Sequence, residues 1–136
     1  MGRTDLPTDI LLGVHVLVVD DDRDSRALLR TVLEYCGALV TVTTSARDAI
    51  NTLRRVVPDV LVADIAMPEK DGYWLIRQVR ALPKDHGGAM PAVAITGYRE
   101  THSAERSLGA GYQAHLTKPI DPWELCRTIA SLARKS

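Results

Sequence analysis

The chain has 136 residues, 46% of them hydrophobic, and its 17 Lys+Arg balance 17 Asp+Glu. That length suits one domain with a sizeable core, and zero net charge argues against a general nucleic-acid surface or a polybasic membrane-binding surface. With no Phe, the core must be built from Val, Leu, Ile and Ala. The longest apolar run, Ile10 to Val19, is too short to cross a bilayer. Asp5 and Asp9 before it and three aspartates after it make a poor signal peptide. A cytoplasmic location is therefore expected, with Cys36 and Cys126 as reduced, buried thiols.

Residues 1–13 read as a leader and 14–136 as one domain. Val14 to Asp20 predicts a first strand running into Asp20-Asp21-Asp22, with Asp22 suited to cap a helix. Asp24 to Cys36 predicts that helix, with Leu28, Leu29, Val32, Leu33 and Cys36 on one face and Gly37 at its end. Leu39 to Thr43 is a second strand. Ser45 to Val56 is a second helix, opened by the capping-box pattern Ser45-x-x-Asp48, with Ala49, Ile50 and Leu53 inward and Pro58 beyond it.

Asp59 to Asp64 is a third strand, β-branched and apolar until its terminal carboxylate. Met67-Pro68 interrupts regular structure, and Asp71-Gly72 suggests a turn with φ > 0. Gly72 to Leu82 is a third helix, with Leu75, Ile76 and Val79 inward. A loop, Pro83 to Pro91, leads to a fourth strand, Ala92 to Thr96. Residues 99–109 form the weakest helix, with only Ala104 and Leu108 as an apolar stripe, and a weakly anchored element moves most readily. Tyr112 to Thr117 is a fifth strand, then Lys118-Pro119. Asp121-Pro122 starts a last helix, with Leu125, Ile129 and Leu132 inward.

This strand–helix alternation predicts an α/β fold, a parallel sheet covered on both faces with right-handed crossovers. Helices after parallel strands run back the same way. Cys36 ends its helix and Cys126 lies near the start of its own, so the two thiols are expected near opposite ends of the domain, too far apart for a disulfide.

Parallel strands place Asp20/Asp21, Asp64, Thr96 and Lys118 at one sheet edge, where open α/β sheets bind ligands. Clustered carboxylates repel unless a cation intervenes, and Mg²⁺ is the hard cation that suits them. Asp21 and Asp64 are candidate direct ligands, with Asp20 assisting directly or through water. A carboxylate can attack phosphorus to give an aspartyl phosphate. Lys118 could then neutralise charge on the transferring group, and Thr96 could donate to a phosphoryl oxygen. Taken singly each residue has an ordinary alternative: a turn or cap for the aspartates, a strand position for Thr96, a solvated charge for Lys118. Their joint placement at separate strand ends favours the site.

The pieces Val16-Leu17-Val18-Val19-Asp20-Asp21, Asp64-Ile65-Ala66-Met67-Pro68 with Asp71-Gly72, Ala94-Ile95-Thr96-Gly97 and Lys118-Pro119 resemble the response-regulator receiver family over about residues 14–134. The resemblance implies a doubly wound, flavodoxin-like (βα)5 sheet of order 2-1-3-4-5. It implies that Asp64 accepts a phosphoryl group from a histidine kinase or a histidine phosphotransfer protein. Asp20, Asp21, Asp64 and the Ala66 backbone carbonyl would hold Mg²⁺, Lys118 would bind the phosphoryl group, Thr96 would be the switch hydroxyl, and the Lys118-Pro119 peptide would be cis. The family's switch aromatic falls at His115, which could take that role or be an ordinary half-buried histidine. Ala66 and Tyr98 would flank the path of attacking water and tune phosphoryl lifetime. The switching surface would be the face formed by the fourth helix, fifth strand and fifth helix.

The residues after Lys118 suffice for one helix, so no output domain is expected, and no Gly-rich ATP loop is present. A free-standing regulator and the C-terminal receiver of a hybrid histidine kinase both remain open, as does a phosphate-independent adaptor with this fold. An enzyme activity on a separate substrate is not expected. An Asp-nucleophile phosphohydrolase would want an acid two residues after Asp64, where Ala66 stands. An FMN module would want a hydroxyl-rich loop where the acidic triplet stands.

Overall fold

The computed structural model describes residues 8–97 and 103–133. Five parallel strands, β1 (His15–Val19), β2 (Leu39–Thr43), β3 (Val60–Asp64), β4 (Ala92–Thr96) and β5 (Ala114–Thr117), lie in the order β2-β1-β3-β4-β5. The helices are α1 (Arg23–Tyr35), α2 (Ala46–Leu53), α3 (Gly72–Arg80), α4 (Ser103–Ala110) and α5 (Pro122–Ala133). This is the doubly wound, flavodoxin-like arrangement expected from the strand–helix alternation and the resemblance.

Alternation along the strands builds two apolar layers. Val16, Val18, Val60, Val62, Val93 and Ile95 pack with Leu29, Leu33, Leu125 and Ile129 of α1 and α5. Leu17, Leu61, Ala63, Ala92 and Ala94 pack with Ala49, Leu53, Leu75, Ile76 and Val79 of α2 and α3. Every residue of β3 and β4 is buried, as fits parallel strands covered on both faces.

The helix starts follow their capping residues. Asp22 accepts from the Ser25 N–H, Ser45 from Asp48, and Asp71 from Trp74. Gly37, at φ 99°, ends α1 as expected. The Asp71-Gly72 turn does not form. Asp71 is instead the extended N-cap of α3, and the positive φ falls on Glu69 at 66°. Gly72 serves close approach rather than a left-handed bend: a Cβ there would lie 2.7 Å from Ile65 Cδ1 and 2.8 Å from Ile65 Cα.

Two expected apolar faces are rotated. Leu28 is 53% exposed because α1 turns Leu29 and Leu33 into the sheet. In α4, Leu108 is half exposed and Ala104 exposed, while Ser107 is buried and Ala110 packs against the core. Residues 99–102 of that predicted helix lie outside the described residues. The end of the leader joins the core: Leu11 is wholly buried, and its N–H donates to the Cys36 carbonyl at 2.9 Å.

The separation expected for the thiols is also overturned. Cys126 Sγ lies 3.2 Å from Cys36 Sγ. The connection from β5 runs down beside α1 before α5 begins: Lys118, Pro119 and Ile120 line one groove with Ser25, Leu28 and Leu29. By the time α5 has made its first turn it has reached the end of α1.

Candidate active site

Asp20 and Asp21 follow β1, Asp64 ends β3, Thr96 ends β4 and Lys118 follows β5. Parallel register sets these ends level, with Val19 opposite Ala63, Asp64 opposite Ile95 and Thr96 opposite Thr117. Carboxylate oxygens of Asp20, Asp21 and Asp64 all lie within 4.8 Å of one another. Lys118 Nζ is 3.5 Å from Asp64 Oδ2 and 4.0 Å from Asp20 Oδ2. Residues from the beginning, middle and end of the chain therefore meet as expected.

Asp20 is wholly buried. Its Oδ1 accepts from the Asp22 N–H at 2.9 Å, whereas its Oδ2 has no hydrogen-bond partner among the described residues. Burial pushes the Asp20 carboxyl up to about 6, opposed by that backbone N–H and reinforced by the charge of Asp64. Burial also raises the Asp64 carboxyl, and Lys118 and the Ala66 N–H act against it. The Ala66 N–H donates to Asp64 Oδ1 at 3.2 Å, and Ala66 itself is exposed at the lip of the site.

A buried carboxylate oxygen that accepts no hydrogen bond among the described residues, beside two further carboxylates, suits the donor set of a hard divalent cation. The residues fit Mg²⁺. Asp20, Asp21 and Asp64 can each offer an oxygen, and a cation would relieve both the repulsion and the desolvation that raise Asp20 and Asp64.

Thr96 is wholly buried, and its Oγ1 lies 2.8 Å from His115 Nε2. The Lys118-Pro119 peptide is cis. Tyr98 lies outside the described residues. Three neighbours have no signal in the sequence pattern. Lys118 Nζ also donates to Ser25 Oγ at 3.4 Å, Arg26 donates to the Asp20 carbonyl at 3.0 Å, and the Tyr112 hydroxyl donates to the Gly72 carbonyl at 2.8 Å. The Asp22 cap would have placed Ser25 in the first turn of α1, but only the fold brings α1 beside Lys118.

Residues 16–130 match the family model of the response regulator receiver domain. A 14.6 kDa protein from the sodA1 3′ region of Leptolyngbya boryana is 48% identical over 119 residues, covering 88% of this chain and 89% of that protein. The response regulator SaeR of Staphylococcus aureus is 34% identical over 118 residues, covering 87% of this chain but only 50% of SaeR. Among solved structures, the receiver domain of a sensor histidine kinase from Pseudomonas aeruginosa has a magnesium ion coordinated in its active-site cleft. It superposes with a TM-score of 0.80 at 27% identity, covering 89% of this chain and 98% of that one. Among the described residues no helix is long and apolar enough to cross a membrane. With a family match over nearly its whole length and an acidic cluster where that fold gathers its strand ends, the chain belongs to the response regulator receiver domain family, the receiving module of two-component signalling.

Proposed function

We propose that this receiver accepts a phosphoryl group on Asp64 from a phosphohistidine of a histidine kinase or histidine phosphotransfer protein, with Mg²⁺ held by Asp20, Asp21, Asp64 and the Ala66 carbonyl. The observation that carries this reading is the meeting of three carboxylates within 4.8 Å, with the Lys118 ammonium 3.5 Å from Asp64. In the transfer, an Asp64 oxygen forms a bond to phosphorus as the phosphorus–nitrogen bond to the donor histidine breaks. The departing imidazole keeps the electron pair and takes up a proton. Bound Mg²⁺ would offset charge on the phosphoryl oxygens. Lys118, 3.5 Å from Asp64 Oδ2, would do the same and orient the group.

The new group adds roughly two negative charges. The Thr96 hydroxyl then exchanges His115 for a phosphoryl oxygen, and His115 follows inward, repacking the face made by α4, β5 and α5. Two states exchange, and a protein partner selects one. In this reading the domain promotes its own phosphorylation and dephosphorylation and is not an enzyme for a separate substrate. It works in the cytoplasm through protein partners, without nucleic acid or membrane binding. A single-domain regulator is the context we favour, supported by the 14.6 kDa relative of which 89% is covered. The likeness to a kinase-borne receiver supports a hybrid-kinase module as the second reading.

Intact mass after acetyl phosphate treatment, with and without Mg²⁺, tests the proposal. One Mg²⁺-dependent phosphoryl adduct is expected, absent in Asp64→Asn. An equal adduct in Asp64→Asn, or no adduct together with no beryllofluoride binding, overturns it.

A further inference from the structure

We propose that Cys36 and Cys126 form a peroxide-sensitive pair that closes into an intramolecular disulfide, joining the end of α1 to the first turns of α5. The two sulfurs lie 3.2 Å apart, with the Cys126 thiol donating to Cys36 Sγ. Both cysteines are free and wholly buried, and they lie in the same apolar cluster as Leu11, Leu33 and Ile129. A disulfide requires about 2.05 Å between sulfurs, so the pair needs to approach by only about 1 Å. The acidic site is the only grouping of three or more His, Cys, Asp or Glu with metal-binding proximity among the described residues, so the thiols have no third ligand to make them a metal site.

The leader sets access. Leu11 covers this end of α1, held by its N–H to the Cys36 carbonyl at 2.9 Å, and the chain at Leu12 runs against Gly37. Local opening of this turn admits a small oxidant without disturbing the sheet, and hydrogen peroxide is close to water in size. Burial holds the Cys126 thiol above its ordinary range, and its S–H points at Cys36 Sγ; that geometry assigns the first attack on peroxide to Cys36 and the second step to Cys126.

A Cys36 S–O bond forms as the peroxide O–O bond breaks, and one water leaves. Cys126 Sγ then attacks that sulfur. The S–S bond forms as the S–O bond breaks, and the thiol proton leaves with the hydroxide as a second water. Two thiols lose two electrons, and one peroxide gains them.

The test is brief exposure of the chain to hydrogen peroxide, removal of the peroxide with catalase, and unfolding in guanidinium with N-ethylmaleimide, followed by intact mass and peptide mapping. A chain lighter by two hydrogens is expected, with neither cysteine alkylated and the Cys36 and Cys126 peptides linked. Reduction should restore two alkylatable thiols, and the oxidised chain should unfold at a temperature higher by about 10 °C. Cys36→Ala and Cys126→Ala should each lose the upward shift. Two alkylated thiols in the treated wild type, oxygen adducts without a linkage, or a linkage only between chains would overturn the proposal.

Discussion

The Thr96 hydroxyl and His115 Nε2 stand 2.8 Å apart, joining the end of β4 to β5. Thr96 is wholly buried, so its hydroxyl depends on partners that protein or phosphoryl oxygens provide. His115→Phe should destabilise the domain by about 1–2 kcal/mol, because a buried hydroxyl loses its hydrogen bond. Thr96→Val removes the same hydroxyl, so the double variant should cost less than the two singles together. Urea unfolding of the four proteins measures the coupling, and strictly additive costs would show that the contact contributes nothing.

Asp20 predicts a pH dependence of known sign. Its folded-state value of about 6 lies above the ordinary 3.8, so the folded chain holds this proton more tightly than the unfolded chain does. The resulting stabilisation is complete below about pH 3.8 and is lost as pH rises through about 6. Asp20→Asn should therefore stabilise the metal-free domain at pH 7.5, by about 1–3 kcal/mol, and by much less at pH 4.5. The difference between variant and wild type in urea at the two pH values isolates this group. Millimolar Mg²⁺ should raise the unfolding temperature of the wild type and leave that of Asp20→Asn nearly unmoved.

Gly72→Ala places a methyl group 2.8 Å from Ile65 Cα and 3.0 Å from the Asp64 carbonyl, both backbone atoms of the loop that carries the candidate phosphoacceptor. The start of α3 must shift, at a cost of about 1–3 kcal/mol. Acetyl phosphate labelling should slow in the same variant, because the loop from Asp64 to Gly72 is displaced. Normal labelling with normal stability would show that the loop absorbs the methyl group elsewhere.

Arg80 donates to the carbonyls of Gly88, Met90 and Gly111 and to Gln113 Oε1, over distances from 2.7 to 3.0 Å. It ties the end of α3 to the connections entering β4 and β5. Arg80→Met should cost about 2–4 kcal/mol in urea unfolding. Arg80→Lys should recover little of that, since one ammonium cannot span the acceptors a planar guanidinium reaches. Full rescue by Lys would mean that charge alone matters.

Strand order apart, which rests on the family resemblance, most of the architecture is legible in local signals. Ala92–Thr96 and Leu39–Thr43 form strands at their expected bounds, because short β-branched runs between turn residues have few alternatives. The strand-end residues Asp20, Asp21, Asp64 and Lys118 meet because parallel topology leaves those ends nowhere else to go. Faces of helices are harder. Leu28 and Leu108 look inward by period alone, yet the helix roll is set by tertiary packing, which turns Leu29 and Ser107 inward instead. The thiol separation fails for a related reason. Helix direction is as expected, but the length of chain between Thr117 and Pro122, which sets where α5 begins, has no signature in periodicity. Ser25 and Arg80 act through partners at long sequence separation, and no local pattern marks them.

The site's charges are spread along the chain in an order that matters to its assembly. The carboxylates arrive with β1 and β3, whereas the Lys118 ammonium beside them arrives only after β5. A chain that has paired β1 with β3 but not yet added its last strand carries an uncompensated knot of negative charge at the sheet edge. Docking of β5 brings Lys118 to that edge and relieves the repulsion, so closure of the sheet and charge neutralisation of its edge are a single event, and a chain truncated before Ala114 would lose the balance as well as the strand.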